Sequence, residues 1–309
     1  MNPIYKLNLF GYENLFKNLI KQDDKNKLPN KIIISGLRGI GKTTFVYHLI
    51  NYFFSKNEQF KYDLENFKIN QNNRSFKLIQ QLSHPNYYQI DLEDGKKMIE
   101  IEKIRKSFNF SNRSAFNDQK RIIVINNINH LSKSSSNALL KIIEEPNDNL
   151  FFILIHDMST KILDTIKSRC IIFKHSFSKH ECEKIFEDIT NEKYSEIFNK
   201  ELHEYFFTHG ELIFLYNLSQ DEGFNLKDAD IIFLLKLFLK FKYSKHNPQQ
   251  LSFLLKFIQI YFFKKLKYQF KPDIYDKFNS FLKKFNDSKN FNLDFDNLFL
   301  EFESKIINE

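Results

Sequence analysis

Five short apolar runs, most of them followed by a stretch of helical spacing, occupy the first part of this chain. Lys31-Ile32-Ile33-Ile34-Ser35 enters a glycine-rich turn, and from Lys42 the apolar positions Phe45, Val46, Leu49 and Ile50 fall on one helical face. The spacing then predicts a strand from Tyr87 to Leu92 and a helix whose inner face carries Met98, Ile101, Ile104 and Phe108. A third strand, Arg121 to Ile125, leads to a helix around Ala138-Leu139-Leu140-Lys141-Ile142-Ile143. Pro146 should end that helix, because proline lacks an N–H and its ring clashes with the preceding turn. A fourth strand, Leu150 to Ile155, passes through a short helix near Ile162 to Ile166 into a fifth, Cys170 to Phe173. Continuous apolar strands alternating with helices predict a parallel sheet covered on both faces.

After Phe173 the strand pattern stops. Ser178-Lys179-His180-Glu181 has the form of a capping box, and helices continue through Phe214-Leu215 to a loop at Gln220-Asp221-Glu222-Gly223. Beyond it the pattern predicts helices only: Ile231 to Phe241, Leu251 to Leu266, Ile274 to Phe285, and a last one near Phe291 to Ile307. The segment Ser55 to Ser83 is polar and irregular, which fits either a surface insertion or a poorly ordered loop.

Composition adds bounds rather than direction. At 309 residues, 42% hydrophobic and 27% charged, the chain is an ordinary globular one with room for two or three domains. It has no uncharged apolar stretch of about 18 residues or more and no secretory pattern at Met1-Asn2-Pro3-Ile4, so a cytoplasmic protein without membrane contact is expected. Two cysteines, Cys170 and Cys182, are too few for a four-thiolate zinc site or a disulfide framework. The net charge of +8 suits a nucleic-acid partner without establishing one, since lysine is abundant throughout.

The chemistry begins at the first strand. Three of only seven glycines fall at 36, 39 and 41 within Gly36-Leu37-Arg38-Gly39-Ile40-Gly41-Lys42-Thr43, a complete phosphate-binding loop. Glycines let the backbone fold around phosphate oxygens and aim its N–H groups at them, and the following helix N-terminus adds partial positive charge. The candidate nucleotide-binding set is Gly36, Arg38, Gly39, Ile40, Gly41, Lys42, Thr43 and Thr44. In it Lys42 would reach the β- and γ-phosphates and Thr43 would face magnesium. The alternative is a tight strand-to-helix turn with no ligand. Against this loop stands Asn126-Asn127 at the end of the third strand, where an Asp to hold magnesium and a Glu to orient water belong. Asparagine is neutral and cannot polarise water as a carboxylate does. The next acids after Asn126-Asn127 along the chain, Glu144 and Glu145, read as helix-capping or solvated groups.

A family resemblance rests on several blocks. Asn126-Asn127-Ile128-Asn129-His130-Leu131-Ser132, Asn137-Ala138-Leu139-Leu140-Lys141-Ile142-Ile143-Glu144-Glu145-Pro146 and Ser168-Arg169-Cys170 resemble the motifs of bacterial DNA polymerase III clamp-loader subunits of the AAA+ family. His84-Pro85-Asn86 and Gly11-Tyr12-Glu13 also fit. A degenerate hydrolysis motif beside an intact Ser-Arg-Cys is similar to the delta-prime branch. The resemblance implies an α/β P-loop domain over residues 1–177, a small helical lid over 178–223 and an all-α collar that oligomerises over 224–309. It also implies that Arg169 acts as an arginine finger on a neighbouring subunit's nucleotide, with Ser168 as a local hydrogen-bonding residue and Cys170 as core.

Departures from the family pattern carry expectations of their own. The segment Ser55 to Ser83 holds no cysteine, so no zinc is expected; His156-Asp157 stands where a polar nucleotide-sensing residue belongs; and Glu211-Leu212 follows Gly210 where active members place an arginine. Residues Ile231 to Lys271 carry nine lysines and no acid, interleaved with Phe and Tyr. They read as amphipathic collar helices with lysine on the wet face, or as a DNA-contacting surface. The function expected is a non-hydrolysing subunit that binds ATP with magnesium without turning it over and donates Arg169 in trans. Its partners would be the ATPase subunits and delta and, through the complex, the sliding clamp and primed DNA. The alternatives are an ATP-hydrolysing AAA+ subunit or other AAA+ ATPase, and a basic nucleic-acid-binding protein with a vestigial phosphate loop.

Overall fold

The alternation of side chains along each strand divides the isoleucine-rich runs between two cores. In the computed structural model, which describes residues 3–93, 96–112, 119–144, 149–240, 248–268, 272–291 and 295–304, Ile32 and Ile34 enter one hydrophobic cluster and Ile33 the other. Ile122 and Val124 likewise part from Ile123 and Ile125, as a period of two requires when both faces are covered.

The elements run α1 (Glu13–Asp24), β1 (Lys31–Gly36), α2 (Lys42–Ser55), α3 (Arg74–Gln80), β2 (Tyr87–Ile90), α4 (Ile101–Ser111), β3 (Arg121–Ile125), α5 (Lys133–Glu144), β4 (Leu150–Asp157), α6 (Asp164–Lys167), β5 (Ile171–Lys174) and α7 (Lys179–Thr190). They are followed by α8 (Tyr194–Ile197), α9 (His209–Glu222), α10 (Ile231–Lys240), α11 (Pro248–Tyr268), α12 (Pro272–Phe291) and α13 (Phe295–Phe302). The sheet is parallel throughout, in the order β2-β3-β4-β1-β5. Gly36 is in register with Asp157, and Ile90 with Ile125. The phosphate loop, Asn126-Asn127 and His156-Asp157 therefore leave the sheet at its carboxyl edge, where α/β sheets build their sites.

The chain divides into two compact units, Met1–Asn191 with Phe207–Ile213, and Glu192–Phe206 with Phe214–Glu309. The first holds the sheet. The second is helical, and its core is largely aromatic: Phe253 stacks on Phe214 at 4.6 Å and on Phe238 at 5.6 Å between ring centroids. Two lysines of α11 have acid partners from elsewhere in this unit, Lys264 with Glu201 and Lys267 with Glu204.

Several sequence expectations are corrected. Residues 55–83 include α3 and bury Tyr62, Phe67, Ile69, Phe76 and Ile79 in the cluster that also holds α1 and α2, so the segment is a packed part of the first unit. Met98 precedes α4 and is 58% exposed rather than on its inner face. The strand expected to reach Leu92 ends at Ile90, and α9 continues through Gln220 to Glu222, with Gly223 leaving it at φ +70°. The end of α5 at Pro146, Glu145, the last residue expected for α10 and the end of the last helix lie outside the described residues. The capping box is present: the Ser178 hydroxyl accepts from the Glu181 N–H, and the Glu181 carboxylate accepts from the Ser178 N–H at 2.7 Å.

Candidate functional site

The phosphate loop keeps the backbone shape that its glycines permit. Gly39 and Gly41 take φ of +81° and +77°, and Gly41 caps α2 in the left-handed region. Lys42 is buried and donates to the carbonyls of Gly36 at 2.8 Å and Leu37 at 2.6 Å. Burial pushes its ammonium down to about 8, against the pull of the Asp157 carboxylate. Arg38 is exposed, Thr43 and Thr44 are half-buried in the first turn of α2, and Ile40 is buried.

The loop is closed on one side by the start of α9. The Gly210 N–H donates to the Gly39 carbonyl at 2.9 Å, and a methyl added at Gly210 would overlap that carbonyl. Thr208 caps α9 reciprocally with Glu211, whose carboxylate accepts from the Thr208 N–H at 2.8 Å. Glu211 is thus a capping residue at the place where the family pattern has an arginine nearby. On the other side Tyr12 donates its hydroxyl to the Ile40 carbonyl at 2.8 Å and stacks on His175. Phe177 packs edge-on against Tyr12, His175 and His209.

At the end of β3 the two amides share one carboxylate. Asn126 Nδ2 donates to Asp91 Oδ2 at 2.8 Å and Asn127 Nδ2 to Asp91 Oδ1 at 3.0 Å. An ionised carboxylate only accepts, so Asp91 fixes which way each amide turns. Asn126 is 4% exposed, and its Oδ1 is buried without a partner among the described residues. Asp91, one residue past β2, is a participant that the reading of β3 alone overlooked. Its position at the carboxyl end of the neighbouring strand was the available signal.

His156 is locked beside this edge. Its Nε2 lies 3.0 Å from the Thr160 carbonyl and must donate, so its Nδ1 accepts from the Ser35 hydroxyl at 2.8 Å. Burial lowers its pKa, and the ring stays neutral. Asn129 joins β3 to the β4 end by donating to the Asp157 carbonyl at 2.7 Å and accepting from the Asp157 N–H at 2.9 Å. A cavity of about 130 Å³ opens among Ile128, Asn129, His156, Thr160 and Leu163.

Arg169 lies just past the end of α6, 38% exposed, with its guanidinium fixed at three points. It donates to the Thr165 carbonyl at 2.9 Å and to the Ser168 hydroxyl at 3.1 Å, and it pairs with Glu144 at 2.8 Å. Glu144 is thus an ion-pair partner, which corrects its reading as a capping or merely solvated residue. Ser168 is the local hydrogen-bonding residue expected. Cys170 and Cys182 are free and buried, and burial pushes the Cys170 thiol up to about 11, which makes it inert packing.

A family profile described as DNA polymerase III, delta subunit matches residues 11–179, more than half of the chain, including the phosphate loop, Asn126-Asn127 and Arg169. The chain belongs to the DNA polymerase III delta-subunit family. It is 30% identical over 173 residues to DNA polymerase III subunit delta′ of Buchnera aphidicola subsp. Baizongia pistaciae, covering 54% of this chain and 50% of that protein. It is 26% identical over 155 residues to the protein of the same name from Escherichia coli, covering 50% and 45%. Among solved structures it aligns with a DNA polymerase III gamma subunit-related protein of Thermotoga maritima over 93% of this chain and 95% of that one, at 15% identity and a TM-score of 0.48. The match spans about half the length of the delta′ relatives.

In this delta-family chain the donor set for phosphate is present: a cationic Lys42, the glycine backbone and a helix N-terminus. A phosphate would have to take Lys42 from two loop carbonyls, and the rings of Tyr12 and His209 flank Gly41. The magnesium side is weaker, since the strand end offers the neutral oxygen of Asn126. Among the described residues no group of three or more His, Cys, Asp or Glu side chains is placed to hold a metal ion.

Proposed function

We propose that the chain is a clamp-loader subunit of the delta-prime type, ineffective as an ATPase by itself, which presents Arg169 to the ATP site of a neighbouring subunit. The observation that carries this reading is the amide pair. Asn126 and Asn127 stand where hydrolysis needs carboxylates, and the Asp91 carboxylate beside them accepts from both. A base hydrogen-bonded in this way is a poor activator of water. Bound ATP with magnesium, held by Gly36 to Thr44 and not turned over, remains the cofactor state proposed; no zinc is part of the reading.

The chain's useful chemistry would then lie at Arg169. A guanidinium stays charged at all working pH values and can stabilise charge on a transferring phosphoryl group. Three fixed contacts leave it little rotational freedom to lose on docking. The helical second unit would supply assembly, with an intermediate lid and a collar as the functional divisions. The partners would be ATPase subunits, delta, the sliding clamp and primed DNA, in the cytoplasm. Family membership and the delta′ names of the relatives support this assignment.

The test has two arms. The purified chain with ATP and magnesium should release phosphate no faster than a Lys42→Ala variant. The reconstituted complex carrying Arg169→Ala should lose DNA-stimulated ATPase activity by about 100-fold or more. Lys42-dependent turnover on the order of 1 per second by the chain alone would favour a true ATPase. An unchanged rate with Arg169→Ala would remove the finger.

A further inference from the structure

We propose that Glu144 is the positioning residue of Arg169, an inference that rests on the reading of Arg169 as an arginine finger. The guanidinium has five N–H donors in a fixed plane. Two bonds from Nη1 go to atoms of its own segment, the Thr165 carbonyl at 2.9 Å and the Ser168 hydroxyl at 3.1 Å. These tie one corner of the plane to the end of α6 and leave it free to swing about that corner. The third, from Nη2 to Glu144 Oε1 at 2.8 Å, comes from the last residue of α5, a different element, and stops the swing.

Among the described residues, these contacts use three of the five donors and leave Nε–H and the second Nη2 hydrogen for an incoming phosphate. Arg169 is 38% exposed and Glu144 48%. A half-exposed pair of this kind is weak, so Glu144 can hold the cation in place without quenching it. A multiply charged phosphoryl group outcompetes a single solvated carboxylate for the remaining donors. Glu144 touches neither reacting atom nor nucleotide, and acts only through Arg169.

The experiment is steady-state ATPase kinetics of the reconstituted complex with Glu144→Ala, Glu144→Gln, Arg169→Ala and the Glu144→Ala/Arg169→Ala double variant, each checked for an unchanged melting temperature. Glu144→Ala should lower kcat about three- to fivefold at unchanged KM for ATP. Glu144→Gln keeps the accepting oxygen and should stay within about twofold of the parent. The double variant should be no slower than Arg169→Ala alone, because the effect passes through the arginine. A Glu144→Ala complex as fast as the parent or faster, with Arg169→Ala slow, overturns the positioning role and leaves the finger standing. Additive losses in the double variant also overturn it. A silent Arg169→Ala removes the finger itself, and the positioning role falls with it.

Discussion

Side by side, Asp91, Asn126 and Asn127 form a small set in which one carboxylate accepts from two neutral amides, and each constrains what its neighbours can be. Restoring an acid by Asn126→Asp would put a second carboxylate in the place of an amide donor 2.8 Å from Asp91 and deep in the protein. Like charges so placed repel, and the half-buried Asp91 carboxylate would lose a donor. Asn126→Asp is expected to destabilise the fold by roughly 1–3 kcal/mol in urea unfolding. Adding Asp91→Asn should restore most of the loss; additive costs would show that the two positions do not communicate. The buried histidines act through the same desolvation. Burial lowers His48, His84 and His209 to about 4, with the Arg74 charge adding to the effect on His84. Between about 4 and the unfolded value near 6.5 the unfolded chain binds protons that the folded chain refuses, so stability rises with pH across this window and is lost as pH falls. Each such group contributes about 1.4 kcal/mol per pH unit at most. Urea midpoints should therefore drop steeply between pH 7 and pH 5, and His84→Gln should flatten the slope by about one proton; a flat profile in the parent would contradict the neutral assignments.

Among the elements, the strands and the phosphate loop were legible because their signals are local: a run of isoleucines splits between two cores by periodicity, and three scarce glycines mark a turn. Pairings between distant segments were not legible. Asp91 showed only its place at a strand end, because its pairing is set by the β2–β3 register, and Glu144 showed nothing because α5 and α6 must pack before its ion pair with Arg169 exists. Residues 55–83 misled for a similar reason, since their polar groups are satisfied by one another. The Glu58 carboxylate accepts from Asn73 at 2.6 Å and from the Arg74 and Ser75 N–H groups, covering the exposed donors at the start of α3. Asn73 caps the same helix through the Phe76 N–H at 2.6 Å. Glu58→Ala removes the acceptor for these donors and is expected to cost about 1–2 kcal/mol. Amide exchange at Arg74 and Ser75 should quicken with it, while protection in the strands falls only by the global loss of stability. Protection at those two amides unaffected by the substitution would mean that Asn73 alone holds the helix.

At the scale of the whole chain, the division into two units does not follow the order of the sequence, because Phe207–Ile213 belongs with the sheet although residues 192–206 before it do not. This return segment closes the phosphate loop. Gly210 donates to Gly39, Thr208 packs against it, and Phe207 and Leu212 are 3% and 1% exposed. A chain ending at Asn191 keeps all five strands yet forfeits the segment. Burying one large apolar side chain is worth about 1.5–3 kcal/mol, so losing Phe207 and Leu212 removes roughly 3–6 kcal/mol as an upper figure. That is comparable with the full stability of many domains. Residues 1–191 are therefore expected to melt well below residues 1–213 in matched thermal scans, with Gly39 and Gly41 the amides most exposed to exchange. Equal melting of the two would show that the sheet unit does not need the segment. If both melted low and addition of the peptide 205–215 raised only the shorter chain, closure of the loop would be separable from its covalent connection.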